Sequence, residues 1–230
     1  MDQAAQRVDG AVRPGVADAI CTDDLFEIAE HDIKNALNVV NSALDMIADD
    51  PAEMADMLPL LRRSSGRIGR LVATLVEVNR LVGGTMPVRI AEVPWARLCE
   101  GALEEVALVA EARAVTVDVR GDRALVVRCD RPLLQRVVTN VLDHVLAAAP
   151  RSSVVDVHVA RSDDGGFRAL IGHRGTPMAA EQLANVKRLA GWGLGLIYCR
   201  LALERQGGTI RPVSPYHGDA GVAFEIALPA

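Results

Sequence analysis

Between residues 23 and 49 the apolar side chains Leu25, Ala29, Ile33, Ala36, Val40, Ala43 and Ile47 recur at spacings of three and four. That pattern is one stripe down one side of a helix and cannot be a strand. Thr22 is a candidate N-cap, with Asp23 and Asp24 favourably placed at the positive end of the helix dipole. Asp50-Pro51 breaks the pattern. A second helical pattern covers 52–82 through Leu61, Ile68, Leu71, Leu75 and Val78. Pro59 should kink it or delay its start, and Gly83-Gly84 ends it. Two amphipathic helices joined this tightly predict an antiparallel hairpin. A hairpin alone leaves one apolar face uncovered, so a homodimer forming a four-helix bundle is expected.

From Met86 onward the texture changes to short β-branched runs alternating with helical ones. Strands are predicted at 87–90, 115–119, 124–128, 153–161, 167–172, 209–213 and 221–228, and helices at 95–112, 131–148 and 194–206. Asp163-Asp164-Gly165-Gly166 supplies a hairpin turn and Gly207-Gly208 a helix stop. The fold class is α+β: the helical hairpin at 22–84, then a sandwich at 86–230 with one sheet covered by helices on one face. Residues 1–21 read as a flexible tail with no assigned function.

Half of the 230 residues are apolar, enough for a sizeable core without disulfides. Cys21, Cys99, Cys129 and Cys199 are far apart and lack ligand spacing, which argues against a zinc site or a secreted disulfide framework. A cytoplasmic setting is expected: no apolar run approaches the roughly 20 residues that cross a bilayer, and charged residues interrupt the start of the chain. A net charge of −5 with no basic block weighs against nucleic acid. Proteins or small anions are the expected partners, not membranes.

Successive helical residues are rotated by about 100°, so His31, between Ala29 and Ile33, points away from the apolar stripe into solvent. Lys34 and Asn35 follow one turn on, within reach of the imidazole. The string Glu30-His31-Asp32-Ile33-Lys34-Asn35-Ala36-Leu37 resembles the phosphoacceptor box of histidine kinases. The resemblance implies that His31 takes the phosphoryl group, that Asp32 orients the ring and accepts its proton, and that Asn35 helps position the incoming group. Helical spacing itself supports Lys34 and Asn35 better than Asp32, because neighbours i and i+1 do not face each other.

The resemblance runs through nearly all of residues 22–230. Asp130 to Ala147 is similar to the N box of the Bergerat-type ATP-binding domain of these kinases, with Asn140 matching its first asparagine. His144 stands where the family has its magnesium-holding asparagine, and Ala147 where it has a lysine or arginine. Ile171-Gly172-His173-Arg174-Gly175-Thr176-Pro177-Met178 occupies the place of the Asp-x-Gly-x-Gly box, with His173 for the adenine-accepting aspartate and Pro177 for the second glycine. Only twelve residues separate Met178 from Gly191, short for the family's lid. Gly191-Trp192-Gly193-Leu194-Gly195-Leu196 keeps the second glycine pattern; these glycines either offer amides to phosphate or serve a turn and close packing. Asn140, Gly191, Gly193 and Gly195 are therefore the candidate cofactor-binding residues of a vestigial nucleotide pocket, in which ATP is expected to bind weakly. No tightly bound cofactor is expected, and no metal, since His144 and His173 lack a third ligand. Trp192 is expected to pack across the shortened lid, and His158 and His217 to be structural or solvated.

The preferred reading is a histidine phosphotransferase of a two-component phosphorelay, moving a phosphoryl group between His31 and aspartates of response-regulator receiver domains. In this it resembles dimeric bacterial phosphotransferases that keep the kinase architecture, and the receiver would supply magnesium. The alternative is an active cytoplasmic histidine kinase with a divergent ATP site. A third reading is a non-enzymatic dimer that sequesters a response regulator.

Overall fold

The computed structural model describes residues 22–122, 124–179, 181, 192–216, 218 and 220–230. The tail at 1–21, most of the lid, Gly191 and His217 lie outside the described residues. Helix α1 spans Thr22–Asp49, a 3₁₀ turn Pro51–Glu53 follows, and α2 spans Met54–Val82. Asp50 starts the turn by accepting a hydrogen bond from the Ala52 amide at 2.9 Å. That turn, rather than Pro59, delays α2, which runs through Pro59. Gly84 ends α2 at φ +65°, a conformation that costs little only without a Cβ. In the hairpin Leu25, Ala29, Ala36 and Ala43 are buried, while Ile33, Val40 and Ile47 are half-buried.

The rest of the chain comprises β1 (Ala91–Pro94), α3 (Trp95–Ala112), β2 (Thr116–Gly121), β3 (Val126–Cys129), α4 (Arg131–Ala148), β4 (Val154–Arg161), β5 (Phe167–His173), α5 (Leu194–Glu204), β6 (Thr209–Val213) and β7 (Val222–Leu228). The first predicted strand, 87–90, is displaced to β1. The Arg89 amide is taken at 2.7 Å by the Asp130 carboxylate, so it is not free for a ladder. Asp130 is buried and also caps α4, accepting from the Leu133 amide at 3.2 Å, while its own amide donates to Gln206 at 2.7 Å. Cys129 beside it is buried, and desolvation followed by the Asp130 charge pushes its thiol up to about 12.

The main sheet has the order β2-β4-β5-β7-β6, with β2 parallel to β4 and the remaining pairs antiparallel; β1 and β3 form a separate ribbon. Helices α3, α4 and α5 pack together and onto this sheet. Its other face carries ion pairs: Arg211 meets Glu225 at 2.6 Å and Arg174 meets Asp156 at 3.2 Å. Edge strand β6 contains Pro212, opposite Phe224 of β7. Leu134, Val138 and Leu142 of α4 have no exposed surface. Leu142→Ala should therefore lower unfolding free energy by about 2–5 kcal/mol. Leu108→Ala, at a side chain 79% exposed, should change it by less than about 0.5 kcal/mol; urea denaturation of the two variants checks both.

Candidate functional site

His31 projects from α1 with 75% of its side chain exposed. The Asn35 amide nitrogen, one turn on, lies 3.3 Å from ring Nδ1 and 3.4 Å from Nε2. Either nitrogen can accept from it, so Asn35 steadies the ring without fixing its tautomer. Lys34, expected at the imidazole, is instead paired with Glu30 one turn back. The hydrogen bond and charge of Lys34 hold the Glu30 carboxyl below the usual carboxylate range. An i,i+4 Glu–Lys pair is the easier contact for a long flexible ammonium.

Asp32 departs further from expectation. Its Oδ1 is 3.9 Å from His31 Nδ1, too far for a hydrogen bond. Its Oδ2 instead accepts from the backbone amide of Leu194, the first residue of α5, at 3.1 Å. The N-cap of α5 is Gly193, which has no side chain to cap the helix, and Asp32 fills that role from the hairpin. A Cβ at Gly193 would lie 3.2 Å from the same carboxylate oxygen, so the close approach of Asp32 favours glycine there. A second contact between hairpin and sandwich is made by Arg136 of α4, which reaches α2. It meets Glu77 at 2.6 Å and the Thr74 hydroxyl at 2.9 Å, with its guanidinium 5.0 Å above the Tyr198 ring.

Of the expected nucleotide residues, the structure brings Asn140 and Gly195 together, the amide donating to the Gly195 carbonyl at 3.4 Å. Asn140 lines a cleft of about 630 Å³ between α2 and α4, with Arg70, Thr74 and Arg136. His173 is buried, and its Nδ1 accepts the Gly175 amide hydrogen at 2.9 Å. A ring that accepts there is neutral and carries its proton on Nε2, so the remaining nitrogen is a donor. Burial holds this imidazole below its ordinary range. His144 is pushed the same way, by the surrounding protein first and by His173 second, although the residue keeps an exposed surface. His144 stands edge-on to Phe224 at 5.2 Å, and buried Trp192 does so at 6.5 Å. In this arrangement the residues fit ATP with magnesium poorly. By the resemblance, a donor would stand where the adenine amino group needs an acceptor and position 144 lacks the expected carboxamide, while a carboxylate already holds the amide that follows Gly193.

Residues 129–230 match the family described as histidine kinase-, DNA gyrase B- and HSP90-like ATPases. With the hairpin before it, the chain has the arrangement of a histidine kinase core, and its second domain is of the Bergerat ATP-binding type. It is 28% identical over 95% of its length to the sensor protein KdpD of Mycobacterium tuberculosis, covering 28% of that protein. It superposes on the histidine kinase AdeS of Acinetobacter baumannii with a TM-score of 0.63 at 16% identity, covering 86% of this chain and 97% of that one. It also superposes on the histidine kinase ThkA, solved in complex with the response regulator TrrA, with a TM-score of 0.65 at 15% identity, over 90% of this chain and 61% of the other. The chain spans between 28% and 53% of the length of the curated relatives named KdpD and SenX3.

No spacing rule links Asp32 to Leu194, 162 positions away, or Arg136 to Glu77, 59 positions away; only the docking of hairpin on sandwich creates them. No helix among the described residues is long and apolar enough to cross a membrane. Both lowered imidazoles bind fewer protons in the folded chain than in the unfolded one. Their stabilisation is thus complete above about pH 6.5 and is lost as pH falls below it. The urea midpoint should drop between pH 7.5 and 5.5, and drop less in His173→Asn, which keeps an acceptor for Gly175; an equal drop in both proteins would contradict this.

Proposed function

We propose that this chain is a two-component signalling protein that carries a phosphoryl group on His31. The observation that carries this reading is the imidazole itself: 75% exposed on a hairpin helix, with the Asn35 amide at 3.3 Å. Exposure admits the in-line approach a phosphoryl donor needs, and a neutral imidazole is a competent nucleophile near pH 7. Accepting from a receiver domain, a His31 nitrogen forms the phosphorus–nitrogen bond as the phosphorus–oxygen bond to the receiver's aspartate breaks. The aspartate carboxylate leaves, and the ring's surplus proton passes to solvent. Magnesium belongs to the receiver in this scheme. The complex of ThkA with a response regulator supports a receiver domain as partner class. Leu37, Leu44, Leu58, Val72 and Val76 form exposed apolar positions on the hairpin, which supports a homodimer closed through these helices.

Two sources of the phosphoryl group remain open to experiment. The comparisons support ATP, and so an active histidine kinase, better than they support a phosphotransferase: the matched relatives are sensor kinases and the second domain matches an ATPase family. The specific observation favouring phosphotransfer from a receiver is His173, whose free ring nitrogen is a donor where adenine requires an acceptor. Incubation with labelled ATP, and separately with a labelled phosphoreceiver, separates the readings. Label on His31 from ATP means kinase, label from the receiver alone means phosphotransferase, and neither means a sequestering dimer.

His31→Ala should abolish labelling from either source while leaving sedimentation unchanged, because the side chain faces solvent. Asn35→Ala should slow transfer by up to about tenfold, the scale of one lost hydrogen bond; stopped-time labelling checks this, and an unchanged rate would reduce Asn35 to surface. Val72→Glu, at a side chain 48% exposed, should dissociate the dimer in sedimentation.

A further inference from the structure

The contact between Asp32 and α5 does more than close a seam. Its two carboxylate oxygens look in different directions, Oδ2 to the Leu194 amide at 3.1 Å and Oδ1 to the His31 ring at 3.9 Å. One short side chain therefore faces the candidate phosphoacceptor and holds the first amide of the helix that begins within the glycine motif. It is largely shielded, with 18% of its surface exposed against 75% for His31. Gly193 leaves α5 without a local cap and leaves room for the carboxylate, since a Cβ there would stand 3.2 Å from Oδ2. We propose that Asp32 is a positioning residue that latches the ATP-binding domain onto the hairpin through the Leu194 amide, and that a phosphoryl group on His31 releases the latch. The release half rests on the reading of His31 as phosphoryl carrier; the latch half does not.

Release follows from charge and competition. A phosphoryl group brings about two negative charges onto a ring already within 3.9 Å of the Asp32 carboxylate. Like charges at that separation repel strongly where water is partly excluded. Phosphoryl oxygens are also drawn to the same positive helix end and compete with Asp32 for the Leu194 amide. Asp32 is thereby driven from Leu194. The ion pair of Arg136 with Glu77 remains as a second fastening that His31 does not touch. The unphosphorylated chain is then closed, with His31 beside the second domain, and the phosphorylated chain is loosened at the face a receiver must approach.

Amide hydrogen exchange at Leu194, read by mass spectrometry on the full chain, tests both halves. Without phosphate, Asp32→Ala should exchange at Leu194 at least tenfold faster than wild type. Asp32→Asn, which keeps an acceptor oxygen, should recover most of the protection, and Gly193→Ala should lose part of it. Equal rates in wild type and Asp32→Ala, with both proteins folded by circular dichroism, would overturn the latch. For release, phosphoramidate serves as donor: its phosphorus–nitrogen bond breaks as the bond to His31 forms, and ammonia leaves. Wild type should then exchange at least tenfold faster at Leu194, with no change in His31→Ala or Asp32→Ala. Label on His31 with an unchanged Leu194 rate overturns release while sparing His31 as carrier. If His31 takes no label, the carrier reading fails, and His31→Glu, a fixed negative charge at that position, decides release: faster exchange sustains it and an unchanged rate overturns it.

Discussion

Helix α4 is buried against more than one neighbour, and the sandwich is arranged around it. Leu134, Val137, Val138, Val141 and Leu142 have no exposed surface, and they meet the sheet, α3 and α5 together. Several polar side chains on or beside this helix are tied to particular partners. Arg136 crosses to α2, Asn140 turns to the Gly195 carbonyl, and Asp130 caps the helix while holding Arg89 and Gln206. Removing the Asp130 carboxylate would leave the buried Leu133 end of α4 uncapped, which costs more than the bond itself returned.

The same economy explains where the candidate site lies. The hairpin alone presents an exposed histidine, which is chemically unremarkable. Docking the hairpin on α5 brings the Asp32 carboxylate, next in sequence to that histidine, onto a helix terminus of the second domain, while Arg136 of α4 ties the sandwich to α2. The second domain thus reaches the neighbourhood of His31 through Asp32.

Much of this was legible in the sequence because it depends on periodicity. The stripe from Leu25 to Ile47, the helices at 95–112 and 131–148 and the stops at Gly84 and Gly207 fall where spacing and glycine chemistry put them. His31 was legible by rotation alone, as was its partnership with Asn35. Lys34 was misjudged because His31 and Glu30 both lie about one turn back from it, and the Glu30 carboxylate is the stronger partner for an ammonium. Asp32 was assigned to the ring by resemblance, and its actual hydrogen bond depends on a docking that no local pattern encodes. The strand near residue 88 was misplaced for a related reason: a side chain from 41 positions away takes its amide.

The proline in β6 has a consequence for how copies of this chain meet. β6 is a free margin of the main sheet, where unpaired backbone groups invite a strand from a neighbouring molecule. Pro212 interrupts that margin with a residue that cannot donate, and its ring obstructs an incoming backbone. At the opposite margin, β2 carries the Asp118–Arg120 ion pair, whose charges disfavour a second chain stacking edge to edge. Both borders of the sheet therefore resist the growth that turns a β-protein into fibrils, so the chain can keep a wide, β-branched sheet at cellular concentration while its exposed apolar surface is confined largely to the helices.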